Sequence, residues 1–363
     1  MNSRRWVAWS ATLAVALQAC NNGPRRRDDA VDPSVYSSQE PATQALFQQA
    51  RDHLAAGDVA RGIEVLRRVV AQAPNFVRAH IAWQDAAKRA GGQELQAMVD
   101  HYAALSASGS VVAGYMKARL AETPYAQRNA LEELLRQDPS FAWAHLSLAR
   151  VTRRQGRFVP ALEAYEAALV HDPSLHEARH ERAQVLAELG RDAEAAIDYR
   201  AYLAVQPDDT TALRDFVTLL LYRLGRIDEA IELLARLEGR LPGDLSVRMD
   251  RAAALWRAKR LEESVGAYLS VLAEAPDSVR AAYNIGLIYY ETAATDLPAQ
   301  RVYWPRARAA FRWFLDNGAG GDGHDQFERT LGVPFRMERI AELLGPEPLR
   351  AVRLDDMRWP AKS

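Results

Sequence analysis

The chain holds a single cysteine in 363 residues, so no disulfide can form within it. Only four of its 46 basic residues are lysine, and basic and acidic side chains nearly cancel, to a formal net charge of −1. That balance gives no electrostatic pull toward nucleic acid. The apolar stretch Val7 to Leu17 is too short to span a bilayer. The chain has no Gly-Lys-Ser or Gly-Lys-Thr phosphate loop and no Gly-x-Ser-x-Gly elbow. Their absence removes two common routes to nucleotide chemistry and to serine hydrolysis. What remains is 48% hydrophobic and 26% charged, enough to bury a large core.

The lone cysteine sits where it is informative. Arg4 and Arg5 form a basic start, Val7 to Leu17 an apolar core, and Leu17-Gln18-Ala19-Cys20 follows. This resembles the bacterial lipoprotein lipobox, although Gln18 departs from the usual small residue. The resemblance implies cleavage before Cys20 and lipid attached to it, which would anchor the chain to a membrane without spanning it. An ordinary secretory signal that happens to hold a cysteine is the plainer alternative. Ser3-Arg4-Arg5 also carries a trace of a twin-arginine signal, without the residues that usually follow it. Residues 20–41 are polar, with proline and serine and no apolar periodicity, and read as a flexible tether.

From there on the chain repeats itself. Pro139, Pro173, Pro207, Pro242 and Pro276 fall at steps of 34 or 35, and Gly156, Gly190 and Gly225 keep the same step. The clearest copy, residues 142–173, places small residues at Ala149, Ala161 and Ala168, where two helices must approach closely. Gly156 ends the first helix and Pro173 stops the second. The step and the positions of Ala149, Gly156, Ala161, Tyr165, Ala168 and Pro173 resemble the tetratricopeptide repeat. Residues 176–207 keep the register, with Tyr202 in place of a small residue. Later copies put Lys259 and Ser264 where glycine and alanine belong, and an early copy puts Gly62 where alanine belongs. A last copy is interrupted by residues 292–304.

The resemblance implies an all-α fold: a right-handed α-solenoid of about eight helix pairs with a C-terminal helical cap. The domains expected are a signal peptide at 1–19, a tether at 20–41, the solenoid at 42–316, and a glycine hinge, capping helices and tail at 317–363.

Two motifs compete with that reading. His176-Glu177-Ala178-Arg179-His180 fits H-E-x-x-H, the zinc-hydrolase pattern. The repeat register instead makes it the first turn of a first helix, with Ser174 and Glu177 as a capping box. Gly318 to Gly323 fits G-x-G-x-x-G, but it follows a helix rather than a strand and reads as a hinge.

Repeats of this kind imply a concave face lined by first helices. On it fall Tyr222, Trp256 and Tyr290, with Met249, Tyr283, Leu219 and Leu287 beside them. They suit an apolar peptide or helix face, and they equally suit packing between repeats. Arg150, Arg153 and Arg154 lie on the same face upstream and suit an acidic segment, or ion pairs with Glu177, Glu181 or Glu188 of the next repeat. The sequence thus predicts a non-catalytic scaffold, lipid-anchored in the bacterial envelope, at the periplasmic face of the outer membrane, with no cofactor and no metal. Its expected partners are other envelope proteins, whether assembly components or an enzyme docked as a client. A zinc hydrolase built on His176, Glu177 and His180 is the alternative.

Overall fold

The structure is a computed structural model and describes Tyr36 and residues 39–107, 109–318, 324–345 and 352–360. Cys20, the expected signal peptide at 1–19, most of the expected tether and the glycine run from residue 319 lie outside the described residues. No helix among those described is long and apolar enough to cross a membrane.

The chain divides into two compact units, Met1–Val205 and Gln206–Ser363. Unit 1 holds five helix pairs: α1 (Pro41–Ala55) with α2 (Val59–Gln72), α3 (Val77–Ala90) with α4 (Gly92–Ala107), α5 (Val111–Ala118) with α6 (Pro124–Gln137), α7 (Ala142–Arg154) with α8 (Phe158–His171), and α9 (His176–Glu188) with α10 (Asp192–Val205). Unit 2 holds three: α11 (Thr210–Leu219, closed by a π turn at Leu220–Leu224) with α12 (Ile227–Arg240), α13 (Leu245–Arg257) with α14 (Leu261–Glu274), and α15 (Val279–Thr292) with α16 (Leu297–Gly318). α17 (His324–Leu344) follows α16. The described residues form no strand. Within each unit the helices pack mainly on their neighbours in sequence, as expected of tandem helix pairs. The expected eight pairs are present.

The small and aromatic positions of the repeat build the core. Ala149, Ala161 and Ala168 are fully buried, and so are Tyr165 and Tyr268, which occupy the same place in different copies. Each of these tyrosines turns its hydroxyl to the next first helix. Tyr165 donates to Glu181 at 2.9 Å, and Tyr268 accepts from the Asn284 amide at 3.0 Å. Each phenol thus gains a polar partner as its ring is buried, and the two copies are keyed together.

The irregular copies have local reasons. A Cβ at Gly62 would sit 2.5 Å from Leu54 Cδ2, so the first pair closes only around a glycine. Ser264 is fully buried, and its hydroxyl donates to the Ala252 carbonyl at 2.7 Å. Lys259 adopts φ 64°, the left-handed conformation that glycines supply at the matching turns. A side chain there costs about 1–2 kcal/mol, partly offset by the greater unfolded-state freedom of glycine. Lys259→Gly is therefore expected to stabilise unit 2 by up to about 1 kcal/mol, read as a higher denaturation midpoint. An unchanged or lower midpoint contradicts this account of the turn.

Three sequence expectations need correction. Residues 292–304 do not simply interrupt the last copy: from Leu297 on they are wound into α16, which runs 22 residues through Pro305. The Leu354–Trp359 stretch is not a loose tail. It forms a 3-10 turn at Leu354–Met357 whose Met357 is fully buried, and its Met357 carbonyl accepts from the Tyr289 hydroxyl at 2.8 Å. Trp359 stacks on Tyr289 with ring centroids 5.5 Å apart. The tether, too, is docked at one point. Tyr36 is only 4% exposed and meets the Phe141 ring edge-on at 4.8 Å.

Candidate functional site

In unit 1 the first helices α7 and α9 wall a pocket of about 800 Å³. α7 contributes Ser147, Arg150, Arg153 and Arg154; α9 contributes Glu181 and Glu188. Phe158 and Tyr165 of α8 add apolar wall, and Arg119 lines it as well. The residues of α7 fall on one face because positions three and four apart share a helix side.

The charges are unevenly committed. Arg150 clamps the Glu181 carboxylate through Nε at 2.9 and 3.0 Å and through its terminal nitrogen at 2.5 Å. Tyr165 donates to the same carboxylate. Burial works against the charge of Arg150, but the hydrogen bonds and negative charge of Glu181 outweigh it and hold its pKa above the ordinary value. Burial, followed by the same carboxylate, pushes the Tyr165 phenol up. Arg150 is thus occupied by an ion pair with Glu181. Arg119 is tied as well, donating to Gln84 at 2.8 Å and to Asp85 at 3.2 Å. Arg154 donates to the neutral amide oxygen of Gln127 at 3.0 Å. Arg153 has no hydrogen-bond or ion-pair partner among the described residues, and neither does Glu188.

The H-E-x-x-H segment begins α9, as the register predicts, but not with the expected capping box. Leu175 is the residue before the helix, and it makes no side-chain cap. Ser174 bonds instead to Asp172 at 2.6 Å. Glu177 is drawn away by Arg78, which reaches it at 3.0 Å from α3. The Arg78 guanidinium also lies over the Trp143 ring, 5.7 Å from its centroid. Arg78 Nε and Trp143 Nε1 are buried there without partners, which offsets part of the gain from the contact. His180 stacks on Tyr202 at 4.9 Å, so the residue that departs from the repeat pattern gives the histidine its neighbour. Among the described residues no three His, Cys, Asp or Glu side chains converge as a metal site. The zinc-hydrolase alternative gains no support from this arrangement.

The aromatic face of unit 2 is unequal along its length. Tyr222 is 73% exposed, with the Arg257 guanidinium 5.8 Å from its ring. It stands on the π turn, whose wider winding rotates residues off the regular helical register. Trp256 and Met249 are half-buried against the unit core. Tyr290 is covered: Trp304 stacks on it at 5.3 Å and 5°, and the Arg336 guanidinium lies 5.7 Å from its ring. Tyr283 packs on Phe314 and Phe311, and Leu287 joins the same core. Leu219 is buried, at 3% exposure. Only Tyr222 of this set is widely open. Sequence periodicity could not reveal the cover over Tyr290, since it comes from α16 and α17, beyond the regular repeat. It likewise gave no sign of Arg78, 99 residues from its partner.

A tetratricopeptide-repeat model matches residues 128–174, 153–210 and 219–279, and a second model of the same description matches 44–75. Among solved structures, YrrB, described as a protein of these repeats with an unusual peptide-binding site, is 18% identical. It aligns over 56% of this chain and 99% of its own, with TM-score 0.43. The C-terminal part of a repeat-containing protein from Cytophaga hutchinsonii is 13% identical over 78% of this chain and 98% of its own, with TM-score 0.44. The Cut9–Hcn1 hetero-tetramer of APC/C is 12% identical over 93% and 63%, with TM-score 0.44. These likenesses decide nothing about what the chain binds. No curated protein matches the sequence.

Proposed function

We propose, from the premise that this chain carries tetratricopeptide repeats, that it is a non-catalytic scaffold which holds partner proteins at a bacterial envelope membrane. The observation that carries the reading is the unit 1 pocket. It opens on the face built from first helices, and two of its arginines lack an acidic partner among the described residues. Guanidinium groups at a pocket that no carboxylate pairs favour an anionic partner group over water. Tyr222 adds an exposed aromatic in unit 2, which suits the apolar part of a partner segment.

Anchoring rests on the sequence alone, on Arg4, Arg5, the Val7 to Leu17 stretch and Cys20. Acyl chains on Cys20 would place the repeats on a membrane surface, and the outer membrane's periplasmic face is the site this reading favours. Two experiments test the two halves. Cells fed labelled palmitate should label the wild-type protein and not Cys20→Ser, which should also leave the membrane fraction. Equal labelling of both defeats the anchor. Crosslinked capture from envelopes should recover at least one protein with the wild type whose yield falls about tenfold with Arg153→Glu/Arg154→Glu. The same partners at equal yield from both defeat the pocket as the scaffold's contact.

A further inference from the structure

We propose that the unit 1 pocket is blind at one end and receives a short acidic segment of a partner protein through the edge lined by Arg153 and Arg154. This rests on the scaffold reading and narrows it to one ligand chemistry and one direction of entry.

The blind end follows from Arg78. On α7, Trp143 lies four residues before Ser147, and on α9, Glu177 lies four residues before Glu181. Four residues are one helical turn, about 6 Å along the axis. Ser147 and Glu181 both line the pocket. One turn beyond them the Arg78 side chain crosses between the two helices, 5.7 Å from the Trp143 ring centroid and 3.0 Å from the Glu177 carboxylate. Phe141, just before α7, is enclosed by Tyr36 at 4.8 Å and Tyr115 at 5.4 Å. Tyr115 in turn bonds the Ser147 hydroxyl at 2.8 Å. An extended peptide therefore cannot run the length of the α7–α9 groove. A chain end or tight turn can enter from the opposite side, where Arg150, Arg153 and Glu188 succeed one another toward the helix C-termini.

The ligand chemistry follows from the uncommitted charges. Glu181 is saturated by Arg150 and Tyr165, and Arg119 is held by Asp85. That leaves Arg153 without a partner, Arg154 on a neutral amide, and Glu188 as the one acid there without a partner among the described residues. Two guanidinium forks against one carboxylate suit a pair of acidic side chains, each able to take a fork in two-point contact. Glu188 stands as an opposing charge at the rim, so the site is weaker for anions than it would be without it.

The test uses the full chain and a fluorescein-labelled hexaglutamate peptide with an amidated C-terminus, followed by anisotropy, against hexaglutamine. Saturable binding of the glutamate peptide is expected, weakened about tenfold by Arg153→Gln and several-fold by Arg154→Gln. Glu188→Gln should tighten it about two- to threefold. These three side chains bear on no buried partner, so each variant folds as the parent does, as circular dichroism should confirm. A twelve-glutamate peptide should bind the wild type no better than its doubled number of registers allows. In Arg78→Gln it should gain further, although that variant has lost a cation. Failure of hexaglutamate to bind, equal affinity across the arginine variants, or weakening by Glu188→Gln overturns the ligand assignment. No gain in Arg78→Gln overturns the blind end. Displacement of the probe by inorganic phosphate beyond chloride at equal ionic strength assigns the site to phosphate instead. None of these failures touches the capture experiment above, so the scaffold reading and this narrower one fall separately.

Discussion

Arg182→Ala is expected to cost about 3–5 kcal/mol of stability, the range for stranding one member of a buried ion pair. Arg182 of α9 meets Asp198 of α10 in two-point contact, at 2.6 and 2.7 Å. The two members are not equally buried: the aspartate side chain is 3% exposed and the arginine 23%. Removing the arginine leaves a nearly buried carboxylate without its counter-ion. Removing the aspartate leaves a long side chain that can swing its head outward. Asp198→Ala should therefore cost clearly less than Arg182→Ala. Urea denaturation of both variants measures the asymmetry, and equal costs, or the reverse order, contradict this picture of the pair. Since each pair rests mainly on its neighbours, the loss should appear first in the part of unit 1 around α9 and α10.

Phe311→Ala should cost about 3–5 kcal/mol in unit 2, the usual range for truncating a buried aromatic. Phe311 is fully buried in the core of α15 and α16. It lies so close to Gly286 that a Cβ added there would stand 2.5 Å from two ring carbons. Gly286→Ala alone should cost about 1–3 kcal/mol by forcing the ring aside. In the double variant the alanine methyl enters space the ring has vacated, so the two costs should sum to less than their separate values. Full additivity in a double-mutant cycle would mean that the ring and the glycine do not meet.

The helix-pair architecture was readable because its cause is periodic. Proline stops, glycine turns and small residues at the close approaches recur at one step, and that step set the number of pairs and most of their limits. What the sequence hid is aperiodic. Pro298 opens the first turn of α16, where proline is tolerated, and Pro305, which argues for a break, lies inside the helix beside Trp304, whose ring packs on Tyr290. Val352, Leu354, Met357 and Trp359 form too short a stretch to carry a helical or strand period, and they pack on the unit 2 core only in three dimensions. Ser174 and Glu177 have the spacing of a capping box, but a nearer carboxylate and a distant arginine compete for them and win.

The site was legible in its residues and not in its connections. Arg150, Arg153 and Arg154 stood together in the sequence as a cationic group. Their division into one occupied and two uncommitted members depends on where Glu181 and Tyr165 arrive from neighbouring helices. The aromatic set suited a partner's apolar face and packing between repeats equally well. In the structure its members differ: Tyr222 stands exposed on a π turn, while the helices after α15 cover Tyr290.

Site-specific photocrosslinking in living cells tests most directly where partners meet this protein. A photoreactive benzoylphenylalanine replaces either Phe158, a pocket wall residue, or Val170, which is 76% exposed on the same helix away from the pocket lining. The account predicts adducts to a partner from position 158 and none from position 170, with the 158 adduct lost when Arg153→Glu/Arg154→Glu is added. Adducts from 170 alone, or a 158 adduct indifferent to those charges, would contradict it.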